Sequence, residues 1–423
     1  HWQAGRPSSV IPLIACRSNF PFLMNKILAG AAGLMVTLPS AVLCQQPVTR
    51  AEAVASALYR GGRLAVAIAD TSAARAALLS ARALQNPSFS ASYSKSTPQL
   101  HFNVDLPIEL PGLRNARIAS ANASARAADY LFTYEKAAAA LDADTTYTRA
   151  LAASAHARLS RQNALVADTL LQMAIARRDA GDASDLEVEL ARVNAGQMQN
   201  LATVDSVDLT STLIDLQTAM GVISTEALIS PADTLALPKT SSGDSTAGTP
   251  LQIAAGLQSV TAAERNVQAQ HRSVFGSPSL MAGIETREPG GTGNQILPTF
   301  GFTIPIPLLD RNKGGIAQAN AELRRARAQL SVTQLEYSAA LTRMRRQRAT
   351  ALARATRDRI LLESANRVAS MSVIAYREGE FPLSNVLEAQ RAARDVLRQY
   401  VDDIADAWNA DAALRVLTLT SAK

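Results

Sequence analysis

Residues 118–123 read IASANA and residues 316–321 read IAQANA, so five of six positions are identical at a spacing of 198 residues. Gly181 and Gly379 keep the same spacing. An insertion between these positions would have changed the spacing, so the two copies have equal length. Similarity at a fixed long period indicates an internal duplication of the chain.

Each copy has the same order of patterns. An alternating stretch ends at a proline, and a helical pattern then runs for 74 residues to a glycine, from Pro107 to Gly181 and from Pro305 to Gly379. At about 1.5 Å per residue, roughly 70 helical residues form a rod on the order of 105 Å long, which is wider than a compact core. In the second copy, large apolar residues recur every seven positions, at Ile316, Leu323, Leu330, Tyr337 and Met344. This period predicts long helices paired as in a coiled coil.

Before each long helical pattern, apolar and polar residues alternate over two short runs separated by a turn, in residues 87–108 and 278–307. Period-two alternation predicts two β-hairpins, each with one apolar and one polar face. Four strands cannot close a barrel, and their edges would be exposed in a monomer. We therefore expect hairpins from several chains to build a membrane barrel. Packing of the apolar faces on helices in a globular protein is the alternative.

The chain divides into five segments. Residues 24–44 have the basic start and short apolar run of a signal peptide, and residues 1–23 are interpreted as an extension upstream of it. The first structural repeat is expected over 45–228 and the second over 251–423. The segment 229–250, rich in Pro, Gly, Ser and Thr, is interpreted as the linker between them.

The only cysteines are Cys16 and Cys44, so we expect neither a disulfide nor a thiolate metal site after the signal segment. Cys44 is a candidate for lipidation of the mature N-terminus. The preceding Leu43 is bulkier than the Gly, Ala or Ser usual before a lipidated cysteine, and ordinary signal cleavage is the alternative.

Composition argues against nucleic-acid binding and catalysis. The net charge is +6, but only 4% of residues are aromatic and the basic residues are dispersed along helical patterns, as on a solvated surface. The histidines at 101, 156 and 271 are too dispersed for a zinc site. His101, on the polar side of a strand, is interpreted as a water-facing residue rather than a metal ligand. We expect no enzyme activity, cofactor or metal centre.

Three motifs, together with the duplication, carry a resemblance to a known family. They are AGDAS at 180–184 with ELA at 189–191, YREGEFPL at 376–383 followed by VLEAQ, and IPIPLLDRNKG at 304–314. The chain resembles the TolC-type outer membrane factors over nearly all of its length after residue 44. The last motif is similar to their CzcC-like heavy-metal branch.

The resemblance implies a mainly α fold with a small β part: two long helical hairpins and two β-hairpins per chain. It implies a homotrimer whose twelve strands form one barrel in the outer membrane of a Gram-negative bacterium and whose helices form a periplasmic tunnel. It further implies contacts with outer membrane lipid, a periplasmic adaptor (membrane fusion) protein and an inner-membrane RND-type pump. The chain would then be a passive exit duct, and a secreted or periplasmic coiled-coil scaffold without a pore is the alternative.

The resemblance also assigns roles at the helical tips. It places Gly181 and Gly379 at the adaptor contact, although both also fit as left-handed helix caps. The tunnel constriction maps to Asn385 and Glu388. Asn385 departs from the family's carboxylate, so Glu388 alone would form a cation-attracting ring unless it is only a solvated residue.

A hydrogen bond that holds the closed state in the family maps to Tyr376 and Glu187. Loss of such a contact would shift the population from closed to open tips. Packing of Tyr376 at a helix end is the alternative.

Overall fold

The computed structural model describes residues 46–96, 98–110, 112–238, 248–286 and 296–421. Its elements are β1 Gln46–Val48, α1 Arg50–Arg60, α2 Gly62–Arg82, β2 Ser88–Tyr93, β3 Leu100–Pro107, α3 Leu113–Asp179, α4 Asp185–Ala219, β4 Ile229–Pro231, α5 Leu251–Arg272, β5 Ser279–Thr286, β6 Leu297–Thr303, α6 Lys313–Arg377 and α7 Leu383–Leu417. The prediction of a mainly α fold with two β-hairpins is confirmed.

Several sequence interpretations lie outside the described residues. These are the upstream extension 1–23, the signal peptide 24–44 with Cys44, part of the linker, and the turn of the second hairpin. The predicted boundaries of the two repeats stay predictions.

The two longest helices are α3, with 67 residues, and α6, with 65 residues. At about 1.5 Å per residue each spans roughly 100 Å. Helix α3 packs on α1, α2, α4, α5 and α7, whereas α6 packs on α5 and α7. Buried residues of α3 are mostly alanines, which let helices approach closely.

The seven-residue pattern of α6 faces its neighbours. Ile316, Leu323, Leu330, Tyr337 and Met344 are each half-buried, while the residues on either side of most of them are exposed. The first half of α6 packs along α5, where Leu330 lies against Gly256. The second half packs along α7. The apolar repeat therefore forms the predicted interhelical seam.

The two hairpins join into one antiparallel sheet with the strand order β2-β3-β5-β6. Strands β3 and β5, one from each repeat, pair over eight residues. The apolar side chains of the sheet point to a solvent-exposed face, where Phe300 is 82% and Phe89 is 68% exposed. Strands β2 and β6 are the two edges of this sheet.

The segment interpreted as linker begins with a strand that the sequence did not predict. Strand β4 pairs in parallel with β1, so that Gln46 lies opposite Ile229 and Val48 opposite Pro231. Three-residue strands give almost no periodic signal, which explains why this pair was missed. The core beside it, which we call the mid-helix cluster, consists of Ala53, Tyr147, Ala150, Leu151, Leu213, Leu216, Met220 and Ile229.

An ion-pair network beside the mid-helix cluster connects four helices. Asp144 on α3 pairs with Arg50 on α1 and with Arg415 on α7. Asp411 on α7 pairs with Arg415 and, at 2.9 Å, with Arg348 on α6. Because the side chains of both aspartates are about nine-tenths buried, these pairs fix the helices more firmly than exposed pairs would.

Candidate functional site: the helical tip

The tip consists of the turn between α3 and α4 and the turn between α6 and α7. Gly181 and Gly379 occupy these turns with φ angles of +87° and +79°. In each turn the residue after the glycine donates a backbone hydrogen bond to the carbonyl five residues earlier: Asp182 to Arg177 at 2.8 Å, and Glu380 to Ala375 at 2.9 Å. Both glycines are therefore left-handed helix caps, a conformation that side chains with a Cβ rarely adopt.

The two turns share one apolar core. Its buried residues are Leu170, Ala174, Val188 and Ala191 from the first repeat and Tyr376, Leu383 and Val386 from the second. Outside this core the turns are exposed, and a Cβ added at Gly181 would meet no atom within 4 Å. The tip thus presents both glycine turns to solvent above one shared apolar core.

The structure brings Tyr376 and Glu187 together. The ring of Tyr376 is fully buried, and its hydroxyl lies 3.5 Å from Oε2 of Glu187, at the limit of a hydrogen bond. Burial, followed by the negative charge of Glu187, raises the pKa of Tyr376. The hydroxyl is therefore a neutral donor to the carboxylate at physiological pH. The role of this contact as a latch stays a prediction.

Arg177 is a tip residue that the sequence interpretation missed. Its guanidinium lies 4.7 Å from the ring centre of Tyr376 and donates a 2.8 Å hydrogen bond to the carbonyl of Tyr376. It also donates to the carbonyl of Asp182 at 3.2 Å. Arg177 thus connects the two turns. A basic residue in the last turn of a helix is common, so its position gave no distinct signal.

The predicted constriction residues, Asn385 and Glu388, are both exposed and stand three positions apart on α7. Residues at this spacing lie on the same face of a helix. Glu388 also borders a groove between α3, α4 and α7 that contains Arg391 and Arg394. A ring formed by Glu388 would need sister chains and stays a prediction.

Above the tip, polar contacts connect the two repeats. Arg398 on α7 binds Asp205 on α4 through two hydrogen bonds of 2.7 and 3.3 Å. Burial alone would raise the pKa of Asp205, but the hydrogen bond and charge of Arg398 outweigh burial and lower it. Nearby, Nε2 of His156 on α3 lies 2.8 Å from Asp402 on α7. The sequence interpretation identified neither pair, because each joins residues about 190 or more positions apart.

A second aspartate in the same region has a different environment. Asp403 on α7 has a fully buried side chain, binds Arg354 at 2.6 Å and accepts a hydrogen bond from Gln399 at 3.1 Å. Burial, followed by the neighbouring carboxyl of Asp358, raises the pKa of Asp403. Asp358 and Asp403 each have one buried side-chain oxygen, Oδ2, that has no hydrogen-bond partner among the described residues. The two carboxyls are therefore suited to share a proton.

Polar residues on the sheet also come together. Nδ1 of His101 on β3 lies 3.1 Å from Oε1 of Glu285, its cross-strand partner on β5. Within the described ranges, no group of three or more His, Cys, Asp or Glu residues is arranged to hold a metal ion. His101 therefore has a structural partner across the two repeats.

Comparisons with known proteins identify relatives in sequence and in fold. No protein-family model matches the chain. The nickel-cobalt-cadmium resistance protein NccC of Alcaligenes xylosoxydans xylosoxydans is 26% identical over 311 residues, covering 71% of this chain and 68% of the relative. The cobalt-zinc-cadmium resistance protein CzcC of Cupriavidus metallidurans is 23% identical over 377 residues, covering 86% of this chain and 88% of the relative.

Among solved structures, the CmeC outer membrane channel of Campylobacter jejuni matches with a TM-score of 0.74 at 15% identity. The match covers 93% of this chain and 94% of that channel. The similarity of fold therefore extends over the helices, the sheet and the tip. The resemblance of the chain to the TolC-type outer membrane factors, and to their CzcC-like heavy-metal branch, is confirmed.

Proposed function

We propose that the chain is the outer membrane exit duct of a tripartite efflux system and passes heavy-metal cations to the exterior. The observation that carries the proposal is the combination of a channel fold over 93% of the chain with relatives named for resistance to nickel, cobalt, zinc and cadmium. The duct is passive, since transport energy would come from partner proteins, and the proposal requires no enzyme activity or cofactor.

The sheet supports assembly as a homotrimer in lipid. It has four strands, two edges that pair with no further strand among the described residues, and an exposed apolar face that includes Phe302, 75% exposed. An open edge in solution would invite aggregation, and an exposed apolar face of this kind fits acyl chains. Three chains would supply twelve strands, with the polar face toward the lumen.

The tip supports a contact with a periplasmic adaptor, and through it with an inner-membrane RND-type pump. Both glycine turns are exposed, and beside them Leu186 is 68% and Phe381 48% exposed. Exposed apolar residues next to a rigid turn suit a helical partner. In this arrangement Tyr376 and Glu187 hold the closed tip, and Glu388 attracts cations at the entrance.

The substrate is tested by deleting the gene and measuring tolerance to zinc, cobalt, cadmium and copper beside tolerance to drugs and dyes. We expect metal tolerance to fall and drug tolerance to stay, with recovery when the chain is supplied again. Unchanged metal tolerance with lost drug resistance would overturn the assignment of cations.

The duct itself is tested by fractionating cells that express the chain. A duct is recovered with the outer membrane. A coiled-coil scaffold without a pore would be recovered in the soluble periplasm, and complete recovery there would remove the duct proposal.

A further inference from the structure

Each edge strand of the sheet pairs on one side only, and no further strand among the described residues lies on its other side. Strand β2 is one edge and β6 the other. Every residue of β2 is exposed, and Phe300 and Phe302 are the most exposed aromatic residues of β6. The backbone of each edge has hydrogen-bonding groups available to a further strand.

The two hairpins are copies of each other at the level of single residue pairs. Adding 191 to a residue number in β2 and 198 to one in β3 converts the pairs of the first hairpin into those of the second. Phe89 with Val104 becomes Leu280 with Phe302, a pair that the structure contains. The same shift converts all six β2–β3 pairs into β5–β6 pairs that are present.

The contact between the hairpins therefore provides a template for the contact between chains. Within the chain, Phe102 pairs with Ile284, Val104 with Ala282 and Leu106 with Leu280. Adding 198 to a residue number in β3 gives the equivalent residue in β6. Subtracting 191 from a residue number in β5 gives the equivalent residue in β2. Under the same relation, β6 should meet β2 of a second copy.

We propose that β6 pairs with β2 of the next chain in one defined register: Phe300 with Tyr93, Phe302 with Ala91, and Ile304 with Phe89. The polar pairs are Thr303 with Ser90 and Gly301 with Ser92. The proposal rests on the proposed oligomeric duct, whose contact between chains it specifies residue by residue.

The faces of the two strands agree with this register. It places three apolar pairs on the exposed apolar face and the Ser, Thr and Gly pairs on the other face. A slip by one residue would set Phe302 opposite a serine and turn one strand inside out. Only slips by an even number of residues preserve the faces.

The register also yields an ordinary barrel. Ser90 pairs with Asn103, Asn103 with Gly283, and Gly283 with Thr299. The proposed pair then joins Thr299 to Ser94 of the next chain, so crossing the four strands of one chain advances the register by four residues. With about 3.3 Å per residue and about 4.8 Å between strands, this advance tilts the strands by about 35°, as barrels require. A slip that reduced the advance to two residues would give a tilt of about 19°, and one that raised it to six would give about 46°. The tilt therefore argues against the first slip, and the hairpin template argues against the second.

The helices support the same head-to-tail neighbour. By the template, α6 of one chain would run beside α4 of the next, as α3 runs beside α7. From Glu336 to its end, α6 carries nine arginines against three acidic residues, whereas α4 carries six acidic residues and one arginine. Within one chain α4 packs mainly on α3. The net charges of the two helices are therefore opposite, although Asp205, Arg348 and Arg354 already pair inside the chain, and this sign fits the proposed neighbour.

Cysteine pairs test the register. Thr303→Cys is combined with a second cysteine at position 88, 90 or 92, in the full chain expressed in cells, followed by mild oxidation of outer membranes. Directly opposite residues have Cβ atoms close enough for a disulfide, whereas diagonal ones are about 7 Å apart. We expect the Ser90→Cys combination to give roughly fivefold more interchain product than the Ser88→Cys or Ser92→Cys combination.

The controls separate this proposal from the proposed function. Each single-cysteine variant shows how much interchain product forms through Cys44. The double variants are also compared, in the reduced state, for recovery in the outer membrane and for metal tolerance. A dominant product from position 88 or 92 would overturn the register. No product from any pair, in variants that restore metal tolerance, would overturn the edge contact while leaving the duct.

A photocrosslinking residue provides a second measurement that does not depend on a disulfide. p-Benzoylphenylalanine in place of Phe302, on the exposed apolar face, should react with the peptide of the next chain that contains Ala91. Reaction only with peptides of β5, the strand paired with β6 inside the chain, would contradict the proposal.

Discussion

The long helices α3 and α6 come from two copies of one repeat, yet the chain treats them differently. They have 67 and 65 residues, but 21 residues of α3 are buried and only six of α6. Helix α3 packs on five other helices, and α6 packs mainly on α5 and α7. Of these two equivalent helices, α3 is largely enclosed by other helices and α6 remains mostly exposed. The difference teaches that α6 has a free side, which a neighbouring chain would cover in the proposed trimer.

The same contrast appears at one pair of equivalent aspartates. Asp205 and Asp403 are 198 residues apart, at matching positions of the two repeats. Arg398 binds Asp205 and lowers its pKa in spite of burial, whereas burial and Asp358 raise the pKa of Asp403. The neighbours of a residue, rather than its place in the repeat, decide its protonation.

The largest effect is expected from removing the arginine that pairs with Asp205. Arg398→Ala leaves a buried carboxylate uncompensated, which costs about 3 kcal/mol. The matched variant Arg354→Ala should cost less, because Arg354 is partly exposed and Asp403 can keep a proton. Thermal unfolding of the purified protein measures both. Adding Asp205→Asn to Arg398→Ala should recover part of the loss, and equal losses from the two arginine variants would contradict the contrast.

Matched alanines of the duplicated IASANA and IAQANA stretches sharpen the comparison of the two helices. Ala123 on α3 is buried, and its equivalent, Ala321 on α6, is exposed. Ala123→Leu overfills a packed interface and should cost about 1–3 kcal/mol of folding free energy. Ala321→Leu should leave the fold of single chains intact and reduce the fraction of assembled protein. Helix content by circular dichroism and assembly by size measurement in detergent distinguish the two outcomes. Identical behaviour of the two variants would contradict the difference in burial between α3 and α6.

A smaller effect, a gain in folding stability, is expected when the carboxyl of Asp358 beside Asp403 is replaced by a neutral group. Because the folded pKa of Asp403 is raised, its favourable contribution is present at low pH and is lost as pH rises through the folded pKa. Asp358→Asn removes the repulsion that appears at neutral pH and should stabilise the protein by about 0.5–1 kcal/mol there. Unfolding at pH 7.5 and pH 4 measures the effect, and the gain should shrink at pH 4. A gain that grew on acidification would contradict this assignment.

The smallest effect on stability is expected at the tip contact between the repeats. The 3.5 Å contact from Tyr376 to Glu187 is weak, and Tyr376→Phe with Glu187→Gln should cost no more than about 0.5 kcal/mol. Opening of the tip should nevertheless become easier, and conductance in planar bilayers should rise. Either variant alone should give a similar rise, since each removes the same bond. Unchanged closed-state currents in the double variant would remove the latch.

Much of the fold follows from the sequence, because its signals are long and repeated. The seam from Ile316 to Met344 and the alternating strands around Phe102 and Phe300 each span enough residues to show a period. The short β1–β4 pair has no such period. Contacts made by Arg177 and Arg398 join distant parts of the chain, and a single arginine in a helix has no pattern that identifies its partner.

At the tip, Tyr376 and Glu187 came from the family resemblance, and the structure places them within reach of each other. Their separation of 189 residues would not have identified them from periodicity alone. The opposite shifts at Asp205 and Asp403 were beyond sequence reasoning, because a repeat predicts equal environments and the edge position of α6 makes them unequal.

The most direct measurement of the central claim is the mass of the intact protein released from lipid or mild detergent by native mass spectrometry. The account predicts one dominant species with three times the mass of the mature chain, recovered from outer membranes. A single folded chain that stays in aqueous solution without lipid or detergent would contradict it.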